Sequence, residues 1–121
     1  MPVFVLLGGL SGGISVALGA FGAHALQSRL SPERLETFET GVRYQMYHAL
    51  ALLATAFGVV HWPGSSLPLL AGWAFVAGTL LFSGSLYLLV LTGKRWWGAI
   101  TPFGGLAFIL GWVLLAFTPF Q

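Results

Sequence analysis

All charged side chains of this chain, five Lys or Arg and three Asp or Glu, fall in two short windows, residues 29–43 and 94–95. The rest forms four apolar blocks of about 20 residues, each long enough to cross a ~30 Å hydrocarbon core as a helix. Inside a bilayer no water satisfies backbone polar groups, so such blocks are expected to be helical. The charge distribution therefore predicts an integral membrane protein, with the lipid bilayer as its main partner.

The composition argues against several classes of protein. Hydrophobic residues make up 57% of the chain and charged residues 7%, whereas a soluble domain carries about 25% charged residues. The five Lys and Arg form no run that could follow a phosphate backbone, which argues against a nucleic-acid partner. The absence of cysteine removes disulfides, thiolate metal ligands and cysteine redox chemistry.

We predict an all-α fold, an integral membrane four-helix bundle in which residues 1–121 form a single domain. The predicted spans cover approximately residues 3–26, 41–60, 67–91 and 99–120. The connection at 61–66 has Pro63 and Gly64 as turn residues and Trp62 for the headgroup region. The connection at 92–98 combines a glycine, two cations and two tryptophans, which is typical of an anchor at the membrane interface.

The connection between the first and second spans carries helix signals of its own. Ser31 can cap a helix whose first residue is Pro32, and Glu33 would lie near the positive end of the helix dipole. Apolar side chains recur along one edge of this helix, at Leu35, Phe38 and Val42. We therefore predict a short amphipathic helix over approximately residues 32–40, lying at the membrane surface and running into the second span.

The positions of Lys and Arg predict the orientation. All five lie on the first and third connections or within three residues of them, and the second connection and both tails have none. Positively charged loops stay in the cytoplasm, so we predict that residues 27–40 and 92–98 are cytoplasmic and that both termini lie outside. The expected location is the cell inner (plasma) membrane, with several crossings.

The first span carries small residues at spacings of four, three, four and three. Such a seam lets helices approach closely, which matters because lipid provides no hydrophobic drive for helix association. We predict that it packs within the bundle and consists of Gly8, Gly12, Ser15, Gly19 and Gly22. A second small-residue face, one position further on, leaves a homo-oligomer or another membrane-protein partner open.

Several polar side chains lie in the predicted cytoplasmic half of the bundle: His24, Tyr44, Gln45, His48, Ser83, Ser85 and Thr101. Because a polar group at membrane depth needs a partner, we predict that they converge. His48 is the deepest titratable side chain and could handle protons or bind a ligand. The interpretation we favour is a neutral histidine fixed by hydrogen bonds.

The same residues argue against metal and catalytic sites. Neither His24 nor His48 has a second metal ligand at close spacing, and no acidic residue lies inside a span to complete a Ser-His-acid triad. We predict no metal, no cofactor and no catalytic residue. Intramembrane catalysis with His48 as the base ranks last among the functions considered.

Motifs spread along the chain resemble a known family. They read GAFGAH at 19–24, YQMYHAL at 44–50, LFSGSLY at 81–87, ITPFGG at 100–105 and GW at 111–112. The chain resembles the family catalogued as domain of unknown function four-two-three, which includes YgdD-like bacterial inner-membrane proteins and a eukaryotic transmembrane relative. The resemblance implies four spans and inner-membrane residence, and it implies no activity.

Two functions follow from these observations. The first is a non-catalytic membrane protein, structural or partner-binding, because close-packing residues outnumber chemical ones. The alternative is a small-molecule or proton-coupled conduit, or a ligand-binding protein, that uses the polar side chains of the cytoplasmic half.

Overall fold

The computed structural model describes residues 2–121, which form four helices joined by short connections. Helix α1 is the continuous helical run Pro2–Leu26, followed by α2 at Pro32–His61, α3 at Leu67–Thr92 and α4 at Thr101–Phe117. Short 3₁₀ segments at Arg95–Ala99 and Thr118–Phe120 precede and follow α4. No strand occurs within residues 2–121, so this part of the chain is all-helical.

Helix α1 changes its hydrogen-bonding pattern near its end. The α-helical part Pro2–Ala17 is followed by a π-helical turn, Leu18–Gly22, and by a last α-helical turn, Ala23–Leu26. The Ala23 N–H donates to the Leu18 carbonyl, five residues back, so the turn holds one extra residue. Gly19 and Gly22 both face α2 across this turn.

Helix α2 begins as the sequence predicts and continues without a break past residue 40. The Ser31 hydroxyl accepts a hydrogen bond from the Arg34 N–H at 3.2 Å, and Pro32 opens the helix. Residues 32–40 are the first turns of one unbroken 30-residue helix, so a separate amphipathic helix is not confirmed. Gly41 does not break the helix; its missing side chain lets the Tyr87 ring lie against the backbone.

Consecutive helices pack against each other, with α2 and α3 in the middle and α1 and α4 on the flanks. Much of this packing places an aromatic ring over a glycine of the neighbouring helix. Phe4 of α1 covers Gly72 of α3, and a Cβ at Gly111 would lie 2.6 Å from the Phe75 ring. Phe4 and Phe75 are completely buried in the main apolar core, so the glycines are sites of close approach rather than of flexibility.

Three helical segments are long and apolar enough to cross a membrane. They are Pro2–Leu26, Leu67–Thr92 and Arg95–Phe120, each with a most apolar stretch of mean hydropathy 2.0. Helix α2 is not among them, because Tyr44, Gln45, Tyr47 and His48 lower its hydropathy. Composition therefore supports a helical membrane protein with three spans, and the fourth predicted span is not confirmed by it.

Candidate functional site: the polar centre of the bundle

The small-residue seam of α1 lies against α2. A Cβ at Gly8 would be 2.9 Å from the Ala49 carbonyl oxygen, and one at Gly22 would be 3.4 Å from the Phe38 ring. A Cβ at Gly19 would be 3.2 Å from the Val42 side chain, whereas one at Gly12 would be 3.7 Å from its nearest neighbour. Ser15 is buried, and its hydroxyl donates to the backbone carbonyl one turn earlier. The four glycines therefore let the backbones of α1 and α2 approach closely.

His48 is buried and uses both of its ring nitrogens. One of them, Nδ1, lies 2.7 Å from the Tyr44 carbonyl oxygen, and the Trp112 indole N–H donates to Nε2 at 3.1 Å. An indole N–H can only donate, so Nε2 must accept and the imidazole proton sits on Nδ1. The ring also stacks on Phe108, with centroids 3.4 Å apart and planes 3° from parallel. The surrounding groups therefore hold a neutral imidazole in one tautomer.

Gln45 is buried one turn away from His48 and is satisfied at both ends. Its Nε2 donates to the Ser11 carbonyl of α1 at 3.0 Å, and its Oε1 accepts from the Tyr87 hydroxyl of α3 at 2.6 Å. One amide group thus connects three helices. Such a fully satisfied link fixes how the helices are rotated relative to one another.

The two serines of α3 reach different neighbours. Ser83 donates to the Gly41 carbonyl of α2 at 2.7 Å. Ser85 donates to the Phe82 carbonyl of its own helix at 2.9 Å, and its hydroxyl lies 2.5 Å from that of Thr101 at the start of α4. Both serines are buried where water cannot reach, so these hydrogen bonds satisfy hydroxyl groups that would otherwise be unpaired.

The predicted polar residues do not form one cluster. Within residues 2–121, no hydrogen bond joins His48 to Ser83 or to Thr101. His24 is exposed, and the Tyr44 side chain is 39% exposed and contributes its carbonyl oxygen to the His48 site. The polar groups are therefore distributed among separate contacts between neighbouring helices.

We use the name polar centre for the buried side chains of Gln45 and His48 with their hydrogen-bond partners. Two of these partners, Tyr87 of Gln45 and Trp112 of His48, are not among the residues that the sequence predicts. Each lies within a family motif, which is the signal that could have indicated them. Thr79 was also not selected; its hydroxyl is buried without a hydrogen-bond partner in the described part of the chain.

Two grooves flank the polar centre. One, of about 510 Å³, lies between α2 and α4 beside His48 and is lined mostly by aromatic rings. The other, of about 410 Å³, lies between α1 and α3 and is mostly apolar, with Gln45 and Thr79 among its lining residues. Within residues 2–121, no group of three or more His, Asp or Glu side chains could hold a metal ion.

These features define a class: a small helical membrane protein whose buried polar side chains pair across helix contacts. The family model described as "Protein of unknown function (DUF423)" matches residues 18–105. The chain therefore belongs to the DUF423 family, as its motifs predicted.

Proteins named as membrane proteins match almost the whole chain. The UPF0382 membrane protein YwdK of Bacillus subtilis is 46% identical over 115 residues, covering 95% of this chain and 94% of the relative. The UPF0382 membrane protein SAB0533 of Staphylococcus aureus is 46% identical over 121 residues, covering 100% of this chain and 98% of the relative. No solved structure matches this chain.

Proposed function

We propose that this protein is a non-catalytic, single-domain integral membrane protein with a structural or partner-binding role. The observation that carries this proposal is that four buried polar side chains are hydrogen-bonded between or within helices: His48, Gln45, Ser83 and Ser85. A catalytic base or a proton path needs a free lone pair or a continuous hydrogen-bonded chain. Paired groups of this kind stabilise one arrangement of the helices instead.

We propose further that all four helices cross the membrane. The stretch from Arg43 to His61 is about 27 Å long at 1.5 Å per residue, close to the ~30 Å of a hydrocarbon core. The polar residues that lower the hydropathy of α2 include Gln45 and His48, which are buried and hydrogen-bonded. The turns before Gly41 carry four of the five charged side chains of α2 and would lie at the membrane surface as its amphipathic part.

Reporter fusions test the number of crossings and the orientation. We expect fusions at Ser28 and Gly93 to report the cytoplasm, and fusions at Gly64 and Gln121 to report the outside of the inner membrane, because all Lys and Arg lie on or next to the first and third connections. Fluorescent-protein and alkaline-phosphatase fusions give opposite signals on the two sides and serve as mutual controls. Ser28 and Gly64 on the same side would mean that α2 does not cross.

The partner-binding role is assigned to the face of α1 that the bundle does not use. Cβ atoms at Gly9 and Gly13 would meet nothing within 4 Å, so another helix can approach this face closely. A second copy of the chain and a different membrane protein are the two partners we consider.

The second candidate function is a ligand-binding protein or small conduit, and the Thr79 hydroxyl favours it. That hydroxyl is buried without a partner in residues 2–121 and belongs to a residue lining the groove between α1 and α3. A ligand with one polar group and an apolar body would satisfy it.

The substitution Thr79→Val separates the two functions. If the protein is structural, Thr79→Val should keep or raise the Tm, because an unpaired buried hydroxyl is removed. The expected gain in unfolding free energy is up to about 1 kcal/mol. Thr55→Val is the matched control: the Thr55 hydroxyl donates to the Ala51 carbonyl at 2.8 Å, and its loss should cost about 1 kcal/mol. Thermal unfolding in detergent measures both. A lower Tm for Thr79→Val, with loss of a co-purified small molecule, would support the ligand-binding function instead.

A further inference from the structure

A cavity of about 240 Å³ lies at the charged end of the bundle, between the start of α2 and the end of α3. Two arginines from different connections line it, Arg34 from the first turn of α2 and Arg95 from the segment after α3. Leu89, in the last turns of α3, supplies part of an apolar wall. The cavity therefore combines cationic groups with an apolar side.

The turn after α3 brings the two arginines together. Gly93 caps α3 in the left-handed conformation, with φ of 71°, and Arg95, two residues later, lines the same cavity as Arg34 at the start of α2. A Cβ at Gly93 would lie 2.9 Å from a guanidinium nitrogen of Arg34. Glycine is therefore required here both for the backbone conformation and for the room that the guanidinium occupies.

Neither guanidinium has a protein partner among residues 2–121. Arg43 donates a side-chain hydrogen bond, to the Thr40 hydroxyl at 3.3 Å, whereas Arg34 and Arg95 donate none and form no ion pair with a carboxylate. Each guanidinium offers five N–H donors in a planar fork that matches the oxygens of a phosphate group. Both arginine side chains are exposed, and two guanidinium groups on one cavity that lack protein partners can together bind an anion.

The charges around the cavity indicate which anion fits. Glu33 also lines the cavity, so two cations and one carboxylate leave one net positive charge. That charge matches a phosphodiester, which carries one negative charge, better than a phosphomonoester with about two. The three apolar helical segments require this charged end to lie at a membrane surface, where phosphodiesters are lipid headgroups and the apolar wall can meet an acyl chain.

We propose that the cavity formed by Arg34, Arg95 and Glu33 binds the headgroup phosphate of an anionic glycerophospholipid. The site lies apart from the polar centre and does not depend on which function that centre has. The lipid would join the first and third connections and so stabilise the contact between α2 and α3.

The test uses the full chain in a neutral detergent, titrated with dioctanoyl phosphatidylglycerol and with dioctanoyl phosphatidylcholine, and follows the rise in Tm. We expect phosphatidylglycerol to bind, and Arg34→Gln or Arg95→Gln to weaken binding about tenfold or more, because each removes a charge-assisted contact. Arg29→Gln, which removes the same charge from the same connection outside the cavity, is the control and should leave binding within about twofold.

Two further arms identify the ligand class. Glu33→Gln should shift the preference toward dioctanoyl phosphatidic acid, because it adds one positive charge to the cavity. Inorganic phosphate should not reproduce the shift in Tm; if it does so at millimolar concentration, the site binds free phosphate and the lipid assignment is wrong. An equal loss of binding in Arg29→Gln and Arg34→Gln would overturn the site itself, because the effect would then come from overall charge.

Discussion

Gly104→Ala is expected to push α3 and α4 apart. A Cβ at Gly104 would overlap the backbone N of Phe82 and lie 2.7 Å from the Phe82 Cα. Backbone atoms inside a helix cannot rotate away as a side chain can, so the helices themselves must separate. We expect a loss of about 3 kcal/mol of unfolding free energy, at the upper end of the usual cost of overpacking.

The next residue along α4 provides the control. A Cβ at Gly105 would meet nothing within 4 Å, so Gly105→Ala should be neutral or stabilise the protein by up to about 1 kcal/mol through helix propensity. Thermal unfolding of both variants in the same detergent makes the comparison. Equal Tm values for Gly104→Ala and Gly105→Ala would mean that α3 and α4 do not pack as described.

His48→Ala has the second large expected effect. It removes a buried ring that stacks on Phe108, and it leaves the Trp112 N–H without an acceptor. The new cavity and the unpaired donor together are expected to cost about 3 kcal/mol. Thermal unfolding of the purified variant measures this loss.

Two companion variants separate the contributions of His48. Trp112→Phe removes the indole N–H together with part of the aromatic ring, leaves Nε2 of His48 unsatisfied, and should cost about 1–2 kcal/mol. His48→Phe keeps a ring against Phe108 and loses both hydrogen bonds, so it should fall between wild type and His48→Ala. If the His48 and Trp112 effects simply add in the double variant, the two side chains are not coupled as the structure indicates.

The same variants bear on function. A structural histidine predicts that His48→Ala lowers Tm while any cellular phenotype follows the amount of protein in the membrane. If a phenotype is lost although His48→Ala reaches the wild-type level, His48 has a chemical role and the structural proposal is wrong.

Local sequence signals predicted both ends of α2. The Ser31 cap, Pro32 and the turn at 61–66 agree with the observed limits of α2. The amphipathic helix predicted over residues 32–40 is not a separate element, and at Gly41, a residue that weakens an isolated helix, the Tyr87 ring packs against the backbone. The sequence does not show this contact, because Tyr87 lies far along the chain from Gly41.

The polar residues show where prediction from sequence stops. Depth and spacing selected Gln45, His48, Ser83 and Ser85, and all four are buried. His24 was grouped with them because it lies near the same end of the chain's apolar blocks, but it is exposed. Helical spacing gives the face of a residue within one helix, and it does not give the direction in which that face points.

The amino-acid composition alone assigns this protein to a membrane, because a chain with 7% charged residues cannot build a surface for water. The sequence also determined which stretches are helical and which side of α1 is made of small residues. The hydrogen bonds of Gln45 with Tyr87 and of His48 with Trp112 follow from the packing of the helices and could not be predicted from the sequence. Each of those hydrogen bonds joins two helices, so it forms only when both helices are rotated to face each other correctly. That rotation is set by the packing of aromatic rings of one helix over glycines of another.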